Sequence, residues 1–316
     1  MKKIVIAGGS GFLGRALAAH LQSRGYAITI LTRFPGKASG AIREIGWDGR
    51  TSVDWVRALE GAAAVINLAG RSVNCRYHRR NRKLILESRV DSTRAIGAAI
   101  GKCKAPPPLW LNSSTATIYK HTFGPAWDES GEIGSTPEAK DEFSIDVARA
   151  WERVFDEAPT PATRKAAMRT AMVLGRDKNS VFPMLRRLTR LGLGGKMGNG
   201  RQYVSWIHEH DFCRAIEWIL TQVGLSGVLN VAAPNPVTFS EMMKIFRGTC
   251  GMPTGLPAVK WMLEIGAFFL RTETELILKS RRVVPRRLVE SGFEFQFPFL
   301  REAIGELNQH ARPSNS

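Results

Sequence analysis

Cysteine is sparse: Cys75, Cys103, Cys213 and Cys250 are the four in 316 residues, and they stand far apart. No CxxC pair or nearby histidine at ligand spacing accompanies them, so neither a zinc site nor a disulfide framework is expected. Long apolar runs are also missing. The most apolar late stretch, 259–270, is broken by Lys260 and Glu264, short of the roughly eighteen residues that a membrane span needs. The apolar run after Met1-Lys2-Lys3 is too short for a secretory leader and reads as a first strand. These absences predict a cytoplasmic protein with no membrane span and no metal. Acidic residues are scarce, 28 against 45 Lys and Arg, leaving a net charge of +17. Such a field attracts polyanions at low salt. The basic residues are nevertheless spread over 71–94, 186–201 and 271–287, without interleaved aromatics or a finger, helix-turn-helix or RNP signature. They read as a solvated face and a field for anionic substrates, not as a specific nucleic-acid site.

The chain has enough hydrophobic sequence, 44%, to bury a large core. Strand-like runs alternate with amphipathic ones through the first half. Ile4 to Ala7 predicts a strand and Leu13 to Arg24 a helix; Ala27 to Thr32 and Ala64 to Leu68 predict strands. Arg80 to Ile100 reads as a long helix leading into a strand at Leu109 to Ser113. A polar loop over 121–137 precedes the helix Phe143 to Phe155. Further on, Ala166 to Leu174 and Val204 to Ile207 read as strands. Val181 to Leu191 reads as a helix, and another is capped near Asp211. Helices at Phe239 to Cys250, Ala258 to Phe269 and Glu273 to Ser280 follow. The expected fold is α/β: a Rossmann-type doubly wound parallel sheet over 1–234, a smaller, mostly helical C-terminal lobe over 235–311, and a tail over 312–316.

Gly8-Gly9-Ser10-Gly11-Phe12-Leu13-Gly14 directly follows the first strand and opens the first helix. A pyrophosphate needs close backbone approach and free N–H groups there, and Gly8, Gly11 and Gly14 supply the room. The second strand ends Leu31-Thr32-Arg33-Phe34 without the carboxylate that holds ribose hydroxyls in NAD enzymes. Arg33, with Lys37 nearby, can instead hold a 2′-phosphate, so the predicted cofactor is NADP(H).

With these residues in view, the chain resembles the extended short-chain dehydrogenase/reductases of the nucleotide-sugar epimerase and dehydratase group. Gly8 to Gly14 resembles the family's GGxGFxG, and Val65-Ile66-Asn67-Leu68-Ala69-Gly70 its fourth-strand motif. Ser113 to Tyr119 resembles SSxxxxY, which puts Thr115 at the catalytic Ser/Thr position. Ser88 to Thr93, Gly192 to Gly195, Gly200 to Gln202, Ser205 to His208, Asn230 with Ala233 to Pro236, and Val284 to Leu288 narrow the resemblance. They point to the atypical epimerase-like subgroup with a C-terminal domain of unassigned function, described mainly as NADP(H) binders. The resemblance implies cofactor contacts from Gly8, Ser10, Gly11, Phe12, Leu13, Gly14, Thr32, Arg33, Leu68, Ala69, Gly70, Arg89 and Ser113.

The parent group's acid/base pair, Tyr-x-x-x-Lys on a helix, is absent. Four residues beyond Tyr26, Tyr77, Tyr119 and Tyr203 stand Ile30, Asn81, Phe123 and Ile207. Aligning on Trp151-Glu152 puts Ser144 and Ala148 at the tyrosine and lysine positions. A serine hydroxyl without a cation one turn away is too weak an acid to replace the phenol. Tyr119, followed by Lys120 and His121, is one candidate substitute, with packing as its alternative role. His208 is another, read chiefly as a structural histidine at a strand end. The parental substrate-pyrophosphate arginine falls at Val204, with Arg201 three residues earlier.

Two main functions follow. One is an NADP(H)-dependent oxidoreductase or epimerase-like enzyme for an unidentified carbonyl, hydroxyl or sugar-like small molecule. Its cleft would be lined by Thr115, Tyr119, Trp206, Asn230 and Asn235, and a homodimer is one assembly to expect. The other is a non-catalytic NADPH-binding module acting through a protein partner. A polyanion-associated protein rests on charge alone.

Overall fold

The computed structural model describes residues 1–36, 42–51, 54–257 and 279–309. The first half winds as its alternating pattern dictates. β1 (Lys3–Ala7), α1 (Phe12–Ser23), β2 (Ala27–Thr32), β3 (Ile42–Gly46), β4 (Ala64–Asn67), α2 (Arg79–Ile100), β5 (Leu109–Thr115), α3 (Glu142–Asp156) and β6 (Arg164–Thr170) follow one another. With β10 (Gly227–Val231) these strands form one parallel sheet in the order β10-β6-β5-β4-β1-β2-β3. The order reverses between β1 and β4, the place where a doubly wound sheet opens a crevice at its carboxyl edge.

Period-two alternation assigns the two faces of β1. Ile4 and Ile6 pack with Leu17 and Leu21 of α1 and with Phe212, Ile216 and Ile219. Val5 and Ala7 pack instead with Ala95 and Ile96 of α2, Trp110 and Phe155. Both faces are covered, so the strand is apolar from Ile4 onward.

The second half departs from the simpler reading in two places. The strand predicted over 166–174 is two strands, because β7 (Met172–Leu174) leaves the main sheet after Ala171 and pairs with β9 (Trp206–His208). The strand predicted over 204–207 is likewise split, with β8 (Tyr203–Val204) pairing antiparallel to β11 (Val237–Thr238). Ser205 sits at the crossing, where its hydroxyl donates to Arg281 O at 2.9 Å and accepts from Val283 N at 2.7 Å.

α4 (Val181–Leu188) ends earlier than predicted, running into a wider π turn at Thr189–Leu193 in which Gly192 has φ 79°. α5 (Glu209–Thr221) is capped by His208, not Asp211. Asp211 is fully buried and accepts from the backbone N–H groups of Gln296 and Phe297.

α6 (Phe239–Cys250), α7 (Arg286–Glu290) and α8 (Leu300–Gln309) supply the helical C-terminal region. α6 and α8 share a core with Leu174, Val204 and Trp206. The predicted helix 258–269, most of 273–280, the tail 312–316 and Lys37 lie outside the described residues. Among the described residues, no helix is long and apolar enough to cross a membrane.

Candidate functional site

The glycines of the first turn are set by close packing. Gly8 has φ 75°, and a Cβ there would meet the Ala69 backbone at 2.8 Å. A Cβ on Gly14 would lie 2.4 Å from Gly9 Cα, which ties the helix start to the strand end. Gly11 differs: its nearest neighbour to a built Cβ is Gly8 O at 3.5 Å, and the residue is exposed. Gly11 is also the N-cap of α1, with no side-chain cap. The first-turn N–H groups of the helix therefore have no side-chain acceptor from the cap position. This arrangement suits a phosphate group, which supplies the acceptors and favours the positive end of the helix. Ser10 is exposed beside this turn, and its hydroxyl accepts from the buried Thr32 Oγ1 at 2.9 Å.

Next to the turn lies a cavity of about 420 Å3. Phe12 and Leu13 line it from α1, Leu68, Ala69 and Gly70 from the end of β4, Arg89 from α2, and Ser113, Ser114 and Thr115 from β5. Arg89 lies over Trp151 at 5.1 Å, against Gly70, and donates to the carbonyls of Ile85 and Arg71 at 3.0 and 3.1 Å. Burial pulls its guanidinium down to about 10, the cost of keeping a charge out of water. Thr115 Oγ1 accepts from Thr117 N at 3.1 Å, which leaves its hydroxyl proton available to donate.

Arg33 is exposed outside this cavity, at the end of β2, in a second hollow of about 390 Å3 shared with Trp47, Asp48, Thr51, Asp54 and Trp55. The sequence reading found no carboxylate at the end of β2. Asp48 reaches this hollow from beyond β3, a strand that reading missed. Its carboxylate accepts from Arg50 N, Thr51 N and Thr51 Oγ1, and the Thr51 backbone bond leads in holding its pKa below the usual range.

The expected substrate cleft is redrawn. Thr115 lines the main cavity, as does Ser144, the residue aligned with the family tyrosine. Ala148, aligned with the lysine, is buried in a cluster with Tyr119 and Val283. Tyr119 itself is 1% exposed and outside the cavity lining. Its hydroxyl donates to Asn230 Oδ1 at 2.8 Å, and Arg169 stacks over its ring at 4.9 Å. Burial raises its pKa, with the Arg169 charge opposing. Asn230 is fully buried, donating through Nδ2 to Val284 O at 3.0 Å. Trp206 is in the core and donates through its indole N–H to Asn235 O at 3.1 Å, while Asn235 Nδ2 donates to Pro298 O. Tyr119, Trp206, Asn230 and Asn235 are thus outside the cavity because packing and internal hydrogen bonds occupy them. His208 is structural: it caps α5 and bonds Glu306 at 3.1 Å.

Sequence reasoning missed the cavity wall formed by Tyr77, Phe143 and Val147. It also missed the buried Glu152–Arg169 pair behind Ser114, with bonds of 2.9 and 2.7 Å. A second buried pair joins Asp141 to Lys279, whose ammonium also donates to Thr117 O at 2.6 Å. No local pattern announces any of these, since each forms between distant segments. Among the described residues no cluster of His, Cys, Asp and Glu is arranged to hold a metal ion.

Comparison with known proteins agrees with this fold. The family model described as NAD dependent epimerase/dehydratase matches residues 4–232, and a domain of unknown function (DUF1731) matches 259–307. The epimerase family protein SDR39U1 of Bos taurus is 30% identical over 309 residues, covering 96% of this chain and 99% of the relative. An epimerase family protein of Mycobacterium leprae is 31% identical, covering 99% of this chain and 97% of its own. The crystal structure of human SDR39U1 (isoform 2) with NADPH superposes with a TM-score of 0.84 at 29% identity, covering 97% of this chain and 99% of that one. Sequence blocks, sheet order and these matches converge: the chain belongs to the NAD-dependent epimerase/dehydratase family.

Proposed function

We propose that this protein binds NADP(H) on the Gly8–Gly14 turn and acts as an oxidoreductase or epimerase-like enzyme on a carbonyl or hydroxyl compound in the adjoining cavity. One observation carries the reading: the uncapped, exposed start of α1 at Gly11 adjoins a cavity lined by Leu68, Ala69, Gly70, Arg89 and Ser113. The similar human protein crystallised with NADPH supports the phosphorylated cofactor, as does exposed Arg33 at the end of β2. Bound NADPH supplies a hydride. In this reading the first turn of α1 holds the pyrophosphate, Arg33 meets the 2′-phosphate, Arg89 balances charge at the inner phosphate side, and Thr115 donates a hydrogen bond to a substrate oxygen. The reading is tested by titrating the protein with NADPH and NADH and repeating with Arg33→Glu. Preference for NADPH that the variant abolishes is expected; equal binding of NADH by the unmodified protein overturns it.

A second reading is a non-catalytic NADPH-binding module that regulates a partner. It is favoured by Ser144 and Ala148 at the family's tyrosine and lysine positions, with Tyr119 committed to Asn230. It predicts a partner retained with one redox form of the cofactor. Retention indifferent to cofactor argues against it.

A further inference from the structure

One wall of the cavity is chemically unlike a sugar site. Tyr77 and Phe143 meet edge to face there, with centroids 5.1 Å apart, and pack with Ile85 and Val147. The cluster they belong to also lines the cavity with Val73, Ile85 and Val147, and the Tyr77 hydroxyl is its one polar side-chain group there. A sugar ring buried on such a wall would leave several hydroxyls without partners, each costing free energy.

Charge in the lining has one sign. The described lining contains Arg71 and Arg89 and no carboxylate. The segment 71–83, which supplies Arg71, Ser72, Val73 and Tyr77 to the wall, has six cations and no acid. Arg71, Arg79, Arg80 and Arg82 are exposed, and Arg82 stacks on Phe143 at 5.0 Å. Arg71 uses one N–H on Asn81 Oδ1 at 3.1 Å, and a guanidinium has five to offer.

We infer that the substrate is a small aromatic carbonyl compound bearing a carboxylate, its ring against Tyr77 and Phe143 and its anion on Arg71 at the cavity mouth. The inference rests on NADP(H) occupying the glycine turn. It names a substrate class that a nucleotide-sugar site would reject. An aromatic ring gains from the apolar wall without unpaired polar groups. The rim of cations then draws the carboxylate in and orients it, and a planar guanidinium matches a carboxylate in two-pronged geometry.

The test is calorimetric titration of the protein saturated with NADP+, which cannot reduce the two ketone probes, with benzoylformate, its uncharged methyl ester and UDP-glucose as probes. Benzoylformate should bind about tenfold more tightly than the ester, the scale of one charge-assisted contact in a partly open site. Arg71→Ser should remove most of that advantage while leaving ester and NADP+ affinity in place. Tyr77→Ala should weaken acid and ester alike. Equal affinity for acid and ester, tighter binding of UDP-glucose, or no binding of either aromatic probe at millimolar concentration overturns the inference. Because NADP+ saturation is measured first, loss of cofactor binding is recognised separately as failure of the underlying functional reading.

Discussion

The Tyr119 hydroxyl donates to Asn230 Oδ1 at 2.8 Å, joining the segment after β5 to the far edge strand β10. Asn230 in turn reaches Val284 O, so one buried amide ties the sheet to the C-terminal segment. Tyr119→Phe leaves the Asn230 oxygen without its donor. The expected cost is about 1–3 kcal/mol, the range for a buried polar atom left unpaired, read as a lower urea midpoint with NADPH affinity unchanged. A normal midpoint with impaired cofactor binding would instead return Tyr119 to the active site.

Glu152 and Arg169 form a two-pronged pair with little exposure, and Ser114 donates its hydroxyl to the same carboxylate. Glu152→Ala strands a buried guanidinium, which costs about 3–5 kcal/mol. Glu152→Leu with Arg169→Met removes both charges and should recover most of the loss. Denaturant unfolding of the three proteins checks this. A double variant no more stable than Glu152→Ala would show that the pair contributes through more than charge balance.

What was legible in the sequence depended on locality. β2 and α6 fall on their predicted bounds because the strand is buried on both faces and the helix begins at a Thr238 cap and ends at a left-handed Gly251. β3 escaped notice: it is an edge strand with every residue half-buried or exposed, and Arg43 and Glu44 interrupt its pattern. The breaks at Ala171 and Ser205 were invisible because a chain passing between sheets keeps its extended backbone and apolar spacing. The glycine turn and Thr115 could be found from motif and spacing. The aromatic wall could not, since Tyr77 and Phe143 meet only through the packing of α2 against α3.

Two glycines of the turn should separate folding from binding. Gly8→Ala forces an L side chain to φ 75° and into the Ala69 backbone, so it should destabilise the fold and lower Tm in the absence of cofactor. Gly11→Ala has space in the protein but adds a methyl at the turn proposed to hold the pyrophosphate. Its Tm should match the parent while NADPH affinity falls about tenfold or more, as expected where backbone must approach a pyrophosphate. Unimpaired NADPH binding by a folded Gly11→Ala protein would move the cofactor away from this turn.

Stability should also fall in mild acid through His208. Its Nδ1 accepts from His210 N at 3.1 Å to cap α5, which requires an unprotonated Nδ1 and places the ring proton on Nε2, toward Glu306. Burial lowers the folded-state pKa, with Glu306 and Asp211 opposing and His210 reinforcing. The unfolded chain therefore takes up this proton first, near the ordinary value of about 6.5. Stability from the neutral ring is complete above that pH and is lost as pH falls from there toward the depressed native value, because over that window the unfolded state binds more protons. His121 follows the same sign: burial lowers it, and its Nδ1 accepts from Ser280 N at 2.9 Å. Glu129 and Glu209 run the other way, since burial raises their carboxyls and the folded state takes up their protons more readily. Comparison with His208→Asn cancels those contributions. Asparagine keeps a good cap and does not titrate, so its Tm should decline less than the parent's between about pH 7.5 and pH 5.5, across the ordinary histidine value. Parallel Tm profiles for the two proteins would show that protonation of His208 does not drive the loss.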